Sequence, residues 1–140
     1  MAQTQGEHQD IKVSEPFRYT RLYSDSDGES HFSDEEINFE LADLAPPAPP
    51  ISVSDMIKAE GVLFVSSPSD WYGDWHPAPR RQFFFVLSGE LEVEVSDGEV
   101  RRFSNGDVIL LEDTFGKGHI SRVVSNERCY AVFVPLGKEV

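Results

Sequence analysis

The sequence predicts an all-β protein, a single antiparallel β-barrel or jelly roll. Three observations carry that prediction. Short apolar runs rich in Val, Leu and Phe recur along the chain. Turn clusters separate them, at Ser24–Gly28, Ser88–Gly89, Asp97–Gly98 and Ser104–Asp107. No stretch sustains the apolar spacing of an amphipathic helix.

The elements are taken in chain order. Residues 1–15 are polar and aperiodic, a flexible acidic arm that is free or laid on a partner subunit, and residues 16–140 form the barrel domain. Arg18 to Tyr23 is aromatic and β-prone. From His31 the chain alternates, with Ile37, Phe39 and Leu41 against Glu36, Asn38 and Glu40, which predicts a strand with one wet face. Residues 45–50, Ala-Pro-Pro-Ala-Pro-Pro, read as an extended polyproline connector, because proline fixes φ and donates no hydrogen bond. Ser54 to Lys58 could open one helical turn, but the run Val62 to Val65 favours strand. Ser66 to Asp74 reads as a loop carrying Trp71 and Tyr72.

The pattern then becomes steady. Gln82 to Leu87 is an apolar strand. In the next, Leu91, Val93 and Val95 face one way and Glu90, Glu92 and Glu94 the other. Asp97-Gly98 is a hairpin signal for a type I′ turn, which needs φ > 0 at both central residues. Val100 to Phe103, Val108 to Leu111, His119 to Val124 and Tyr130 to Val134 complete about ten strands. Barrel closure would remove the exposed edges of so many strands.

Composition narrows the function. The 140 residues suffice for one domain with one core, and 39% are apolar. No apolar run is long enough to span a membrane, and the N-terminus reads as no signal peptide, so the expected location is cytoplasmic. A net charge of −13 would repel nucleic acid. Eleven acidic residues against three basic ones lie within residues 1–50, which reads as a solvated surface. The single cysteine, Cys129, sits in an apolar run and reads as a buried hydrophobe.

Two stretches resemble known motifs. Trp75 to Val95, with Val86-Leu87-Ser88-Gly89-Glu90 at its strand end, is similar to the first motif of the cupin family. Gly106-Asp107-Val108-Ile109-Leu110-Leu111, with Gly118-His119 beyond, is similar to the second. The resemblance implies a cupin barrel, often a homodimer, that binds a small-molecule ligand. It also implies a divalent metal ion (Fe, Mn, Ni or Zn) on three histidines and a glutamate. Here His76 and His119 hold the first and last positions, Ala78 replaces the second histidine and Gln82 the glutamate. The implied metal set is therefore His76, Gln82 and His119, and the ion would be weakly held.

Parity supports a shared site, since counting by twos from His76 gives Ala78, Arg80, Gln82 and Phe84. His76 and His119 are the candidate catalytic groups, because imidazole suits proton transfer with or without metal. Trp75, Tyr72 and Phe84 are candidate ligand contacts, and Arg80 and Lys117 would select an anionic ligand. Arg81 and Arg101 read instead as partners of surface carboxylates. Family resemblance implies isomerase, lyase, cyclase or dioxygenase chemistry without choosing among them. The alternative is a non-catalytic, metal-free ligand-binding or regulatory barrel. A third reading makes the Pro-rich segment or the arm an interaction module. Asp25 to Glu29 resembles part of a calcium loop but lacks flanking helices, so it reads as a turn. Glu29 and His31 offer a substitute ligand or an acid–base pair, and solvated surface side chains are the simpler reading.

Overall fold

The structure is a computed structural model that describes residues 11–137. Residues 1–10, most of the expected arm, lie outside the described residues, and residues 11–15 carry no strand. Twelve strands and no helix make up the described chain. They are β1 (Phe17–Ser24), β2 (Ser30–Ile37), β3 (Glu40–Ala42), β4 (Ile51–Val53), β5 (Leu63–Ser67), β6 (Tyr72–His76), β7 (Gln82–Ser88), β8 (Leu91–Val95), β9 (Val100–Phe103), β10 (Val108–Glu112), β11 (His119–Val123) and β12 (Cys129–Pro135).

The chain divides into two compact units, one reaching Arg18 and spanning Glu36–Met56, the other Tyr19–Glu35 and from Ile57 on. The first unit contains the β3–β4 hairpin. The Pro-rich residues 45–50 are not the extended connector expected. They turn this hairpin, because antiparallel pairing of Glu40–Ala42 with Ile51–Val53 forces the chain to reverse. The Ala48 N–H donates to the Ala45 carbonyl at 2.9 Å to close the turn. Residues 31–41 likewise form two short strands, β2 and β3, rather than one.

The second unit contains the jelly-roll-type core. One sheet has the order β2-β1-β10-β7-β12-β5, the other β6-β11-β8-β9. β7 pairs antiparallel with β10 and β12, β12 with β5, β11 with β6 and β8, and β8 with β9, whereas β1 and β10 are parallel, with Thr20 by Ile109 and Leu22 by Leu111. These two strands are distant in sequence, so no hairpin dictates their direction.

The main core gathers side chains from both sheets. Phe84 and Val86 of β7, Ile109 and Leu111 of β10, and Ala131 of β12 meet Leu91, Val93 and Val95 of β8 and Val123 of β11. Burying each large apolar side chain here contributes about 1.5–3 kcal/mol. The alternation read in β8 holds, and Glu92 on its wet face receives hydrogen bonds from Arg102 and Arg122. The Asp97-Gly98 hairpin forms too, but only Gly98 has positive φ (101°). Its N–H donates to the Val95 carbonyl at 3.0 Å, so the turn is not the two-residue type I′ loop expected.

A smaller cluster lies on the opposite face of the six-stranded sheet, with Phe83, Val108, Leu110 and Leu136. Phe83 is only 6% exposed. Tyr19 of β1 packs edge-on to it at 5.9 Å. Near this face Glu112 accepts hydrogen bonds from both Arg21 and Arg81, as a carboxylate partner for Arg81 was expected. Burial opposes the Glu112 charge, but the two arginines outweigh it and hold its carboxyl below the usual range.

Candidate functional site

The site is built where β6 meets β11. The sequence pattern predicts a loop over much of β6, because Gly73 and Asp74 interrupt any apolar alternation. The strand forms because β11 pairs with it. Ser121 stands opposite Gly73, and His119 stands opposite His76. Three residue steps on β6 thus match two on β11, which is a β-bulge over Asp74–Trp75. A bulge reverses the inward-outward parity of the residues beyond it, so Gly73 and His76 both join the inner face.

Asp74 secures the bulge. Its carboxyl oxygen Oδ1 accepts from the Trp75 N–H at 2.9 Å, and its backbone carbonyl accepts from His76 Nδ1 at 2.6 Å. The bulge that aims His76 thereby also sets its tautomer in the neutral ring, with the proton on Nδ1.

His119 is oriented by a different device. Its Nδ1 lies 2.6 Å from Oδ2 of Asp113, which is fully buried. Asp113 stands where the chain leaves β10, and its backbone carbonyl accepts from the Ala78 N–H at 2.9 Å. Its other oxygen, Oδ1, is a buried atom with no partner among the described residues. Gly118 permits the close approach. Its φ is +71°, and a Cβ there would stand 2.1 Å from the His76 carbonyl oxygen.

The two imidazoles are therefore neighbours, with ring centroids 4.5 Å apart and planes inclined at 54°. With both Nδ1 atoms engaged by oxygen, each neutral ring keeps Nε2 as a hydrogen-bond acceptor. Both rings line a cavity of about 280 Å³ within the second unit. Its walls are mostly apolar, including Val65, Phe84, Val93, Leu111 and Phe133. Its polar lining comes from Ser67, Ser121, Cys129 and the two histidines. Burial pushes the Cys129 thiol up, which keeps it protonated rather than nucleophilic.

The predicted site residues separate into two groups. His76, His119 and Phe84 line the cavity together. Gln82 is buried on β7 in the other sheet and is not among the lining residues. Arg80 is exposed, because residues 77–81 between β6 and β7 are not strand and parity does not cross them. Tyr72 and Trp75 are exposed and line shallow surface hollows elsewhere. Lys117 pairs with Glu29 at 2.6 Å, away from the cavity. Glu29 and His31 belong to that outer network too, and Asp25–Gly28 is the turn expected. Residues not foreseen are Asp113, Ser67 and Ser121, and Trp71 lines the cavity as well.

A family metal would need a third protein donor beside the two imidazoles. No group of three or more His, Cys, Asp or Glu suited to an ion occurs among the described residues. Gln82 does not line the cavity, and Asp113 lies on the Nδ1 side of His119. The donor set does not fit the four-ligand site that the resemblance implies.

A family model described as the cupin domain matches residues 62–135, more than half of the chain. The chain belongs to the cupin domain family. Among curated proteins nothing matches this cupin. Solved structures similar to it include the SPY1581 protein of unknown function from Streptococcus pyogenes, at 18% identity and TM-score 0.44, covering 62% of this chain and 72% of that one. A Cupin 2 conserved barrel domain protein from Salinispora arenicola shows 20% identity and TM-score 0.42, covering 69% and 74%. The cupin domain of Schizosaccharomyces pombe Cnp3 shows 14% identity and TM-score 0.41, covering 88% and 89%. No helix among the described residues is long and apolar enough to cross a membrane.

Proposed function

We propose that this cupin binds a small, largely apolar organic molecule in the cavity and moves a proton on it with His76 and His119. The observation that carries the reading is the pair of imidazoles 4.5 Å apart at the wall of an apolar cavity, each held through Nδ1. Packing of the interior to full core density would have favoured a purely structural barrel, whereas about 280 Å³ stays open beside both rings.

The anchors define the chemistry. A neutral His119 can accept a proton from the ligand at Nε2, becoming an imidazolium that an ionised Asp113 stabilises from the Nδ1 side. The same proton can return to a different ligand atom, which is isomerisation. It can alternatively pass to a leaving group, which is elimination. His76, one ring away, can receive or supply the second proton that such reactions need. No Lys or Arg lines the cavity, so the reading replaces the anionic ligand expected from Arg80 and Lys117 with an uncharged one.

The test is a thermal-shift screen of small neutral carbonyl compounds and alcohols, then NMR of the hits in deuterated water. The expected result is protein-dependent deuterium incorporation into a bound hit that His119→Gln abolishes while binding persists. Exchange unchanged in both His119→Gln and His76→Gln would overturn the reading.

A further inference from the structure

We infer that Trp71 is the specificity-determining residue of the cavity, and that the class it selects is a planar, uncharged molecule bearing a hydroxyl, a phenol or an enol. This rests on the proposed proton-transfer reading of the cavity.

The backbone around Trp71 is held at both ends. Its N–H donates to the Pro68 carbonyl at 3.1 Å, and its carbonyl accepts from the Val123 N–H at 2.9 Å. Asp70, just before it, has φ of 70°, the only positive φ at a non-glycine residue among the described residues. That conformation costs energy for a residue with a Cβ, and here it sets the direction of the next side chain.

Gly73 makes room for the indole. Its φ is not in the left-handed range, so its backbone does not call for glycine. Space does. A Cβ on Gly73 would stand 2.7 Å from Trp71 Cη2 and 3.2 Å from Cζ3. The same Cβ would stand 3.2 Å from His76 Cε1. The benzene edge of the indole therefore lies where a side chain of residue 73 would be, beside the imidazole. Trp71 lines the cavity and is still 39% exposed, which places it at the mouth.

The opposite sheet adds aromatic wall. Phe84 of β7 and Phe133 of β12 have ring centroids 4.8 Å apart, and both line the cavity. Aromatic side chains on both sides favour a flat ring, which stacks on them or meets them edge-on. The polar end is specified independently, because an oxygen engages Nδ1 of His76 and of His119, which leaves Nε2 of each ring as the acceptor whenever the ring carries one proton. A ligand group meeting two acceptors must donate, as a hydroxyl does and a carboxylate does not. With no cationic side chain in the lining, an anion would be desolvated without compensation.

Four probes separate these features when titrated into the whole protein by calorimetry. Phenol has the ring and the donor. Anisole has the ring alone, cyclohexanol the donor alone, and benzoate the ring with a charge. Phenol should bind tightest. Trp71→Leu should cut its advantage over cyclohexanol by roughly threefold to tenfold while sparing its advantage over anisole. Gly73→Ala should act in the same direction by displacing the indole. His119→Gln should do the reverse, reducing the preference over anisole and sparing that over cyclohexanol. Tightest binding of benzoate, no binding of phenol, or an unchanged ring preference in Trp71→Leu overturns the inference. Phenol selectivity without ligand-proton exchange in the deuterium experiment would remove the proton-transfer reading and leave Trp71 as the selector in a binding protein.

Discussion

His76 and His119 are direct cross-strand partners because β6 spends one more residue than β11 between the Gly73–Ser121 pair and theirs. Without that bulge, strand alternation from Gly73 would put Trp75 on the inner face in place of His76. The placement depends on three contacts, from Trp75 N–H to the Asp74 carboxyl, from His76 Nδ1 to the Asp74 carbonyl, and of Gly118 against the His76 backbone.

Gly118 is the least replaceable of these. Gly118→Ala adds a Cβ 2.1 Å from a backbone carbonyl at a positive φ, so the β6–β11 pairing must part. We expect destabilisation of about 2 kcal/mol or more, read as a drop in Tm, together with loss of ligand-proton exchange. Asp74→Ala removes only the exposed cap on Trp75 and should cost about 1 kcal/mol.

Asp113→Asn should separate orientation from charge. The amide oxygen can still accept from His119 Nδ1, but the negative charge that stabilises an imidazolium is gone. Ligand-proton exchange should fall roughly 10²-fold or more, with ligand affinity nearly unchanged. Equal loss of binding and exchange would mean that Asp113 only holds the fold.

His31 should give the protein a pH-dependent contribution to stability. Its ring nitrogens lie 2.7 Å from Asp25 and 2.8 Å from Asp97, which ties the β1–β2 turn to the β8–β9 turn. Hydrogen bonds to Asp25 and then to Asp97 raise its pKa above the ordinary imidazole value. The His31 hydrogen bond holds Asp25 below the usual carboxylate range, and the Glu99 backbone N–H holds Asp97 there, so both stay charged at neutral pH. A raised folded pKa contributes stability that is complete below the unfolded value and is lost as pH rises through the folded one. The Tm difference between the wild type and His31→Asn should therefore be larger near about pH 5.5 than near about pH 8.5.

Glu112 should act in the opposite direction. Its lowered pKa contributes stability that is present above the ordinary carboxylate value and is lost as pH falls through the depressed one. Glu112→Gln should lower Tm at neutral pH and have a smaller effect in acid. The measurement is thermal unfolding of both proteins across that range.

Much of the fold was legible in the sequence, because strands with one buried face alternate visibly. β8 is the plainest case, and the inward face of Phe84 follows from the same rule. The histidine pair was legible through motif resemblance. What failed was parity carried too far. Counting by twos from His76 to Arg80 assumed one continuous strand, but β6 ends at His76 and β7 begins at Gln82. The bulge at Asp74–Trp75 has no sequence signature of its own, so the β6 strand read as loop. Asp113 was missed because its contact with His119 arises from the way the chain turns back after β10, and no spacing rule encodes that turn. The parallel pairing of β1 with β10 was equally unreadable, since it joins segments with no turn between them.

The most direct test of the proposed site is imidazole nitrogen NMR of His76 and His119 while phenol is titrated into the protein. The expected result is that in both rings Nδ1 carries the proton, that Nε2 is the bare nitrogen, and that ligand shifts the Nε2 signals most. Phenol that binds while leaving both Nε2 signals unmoved would contradict it.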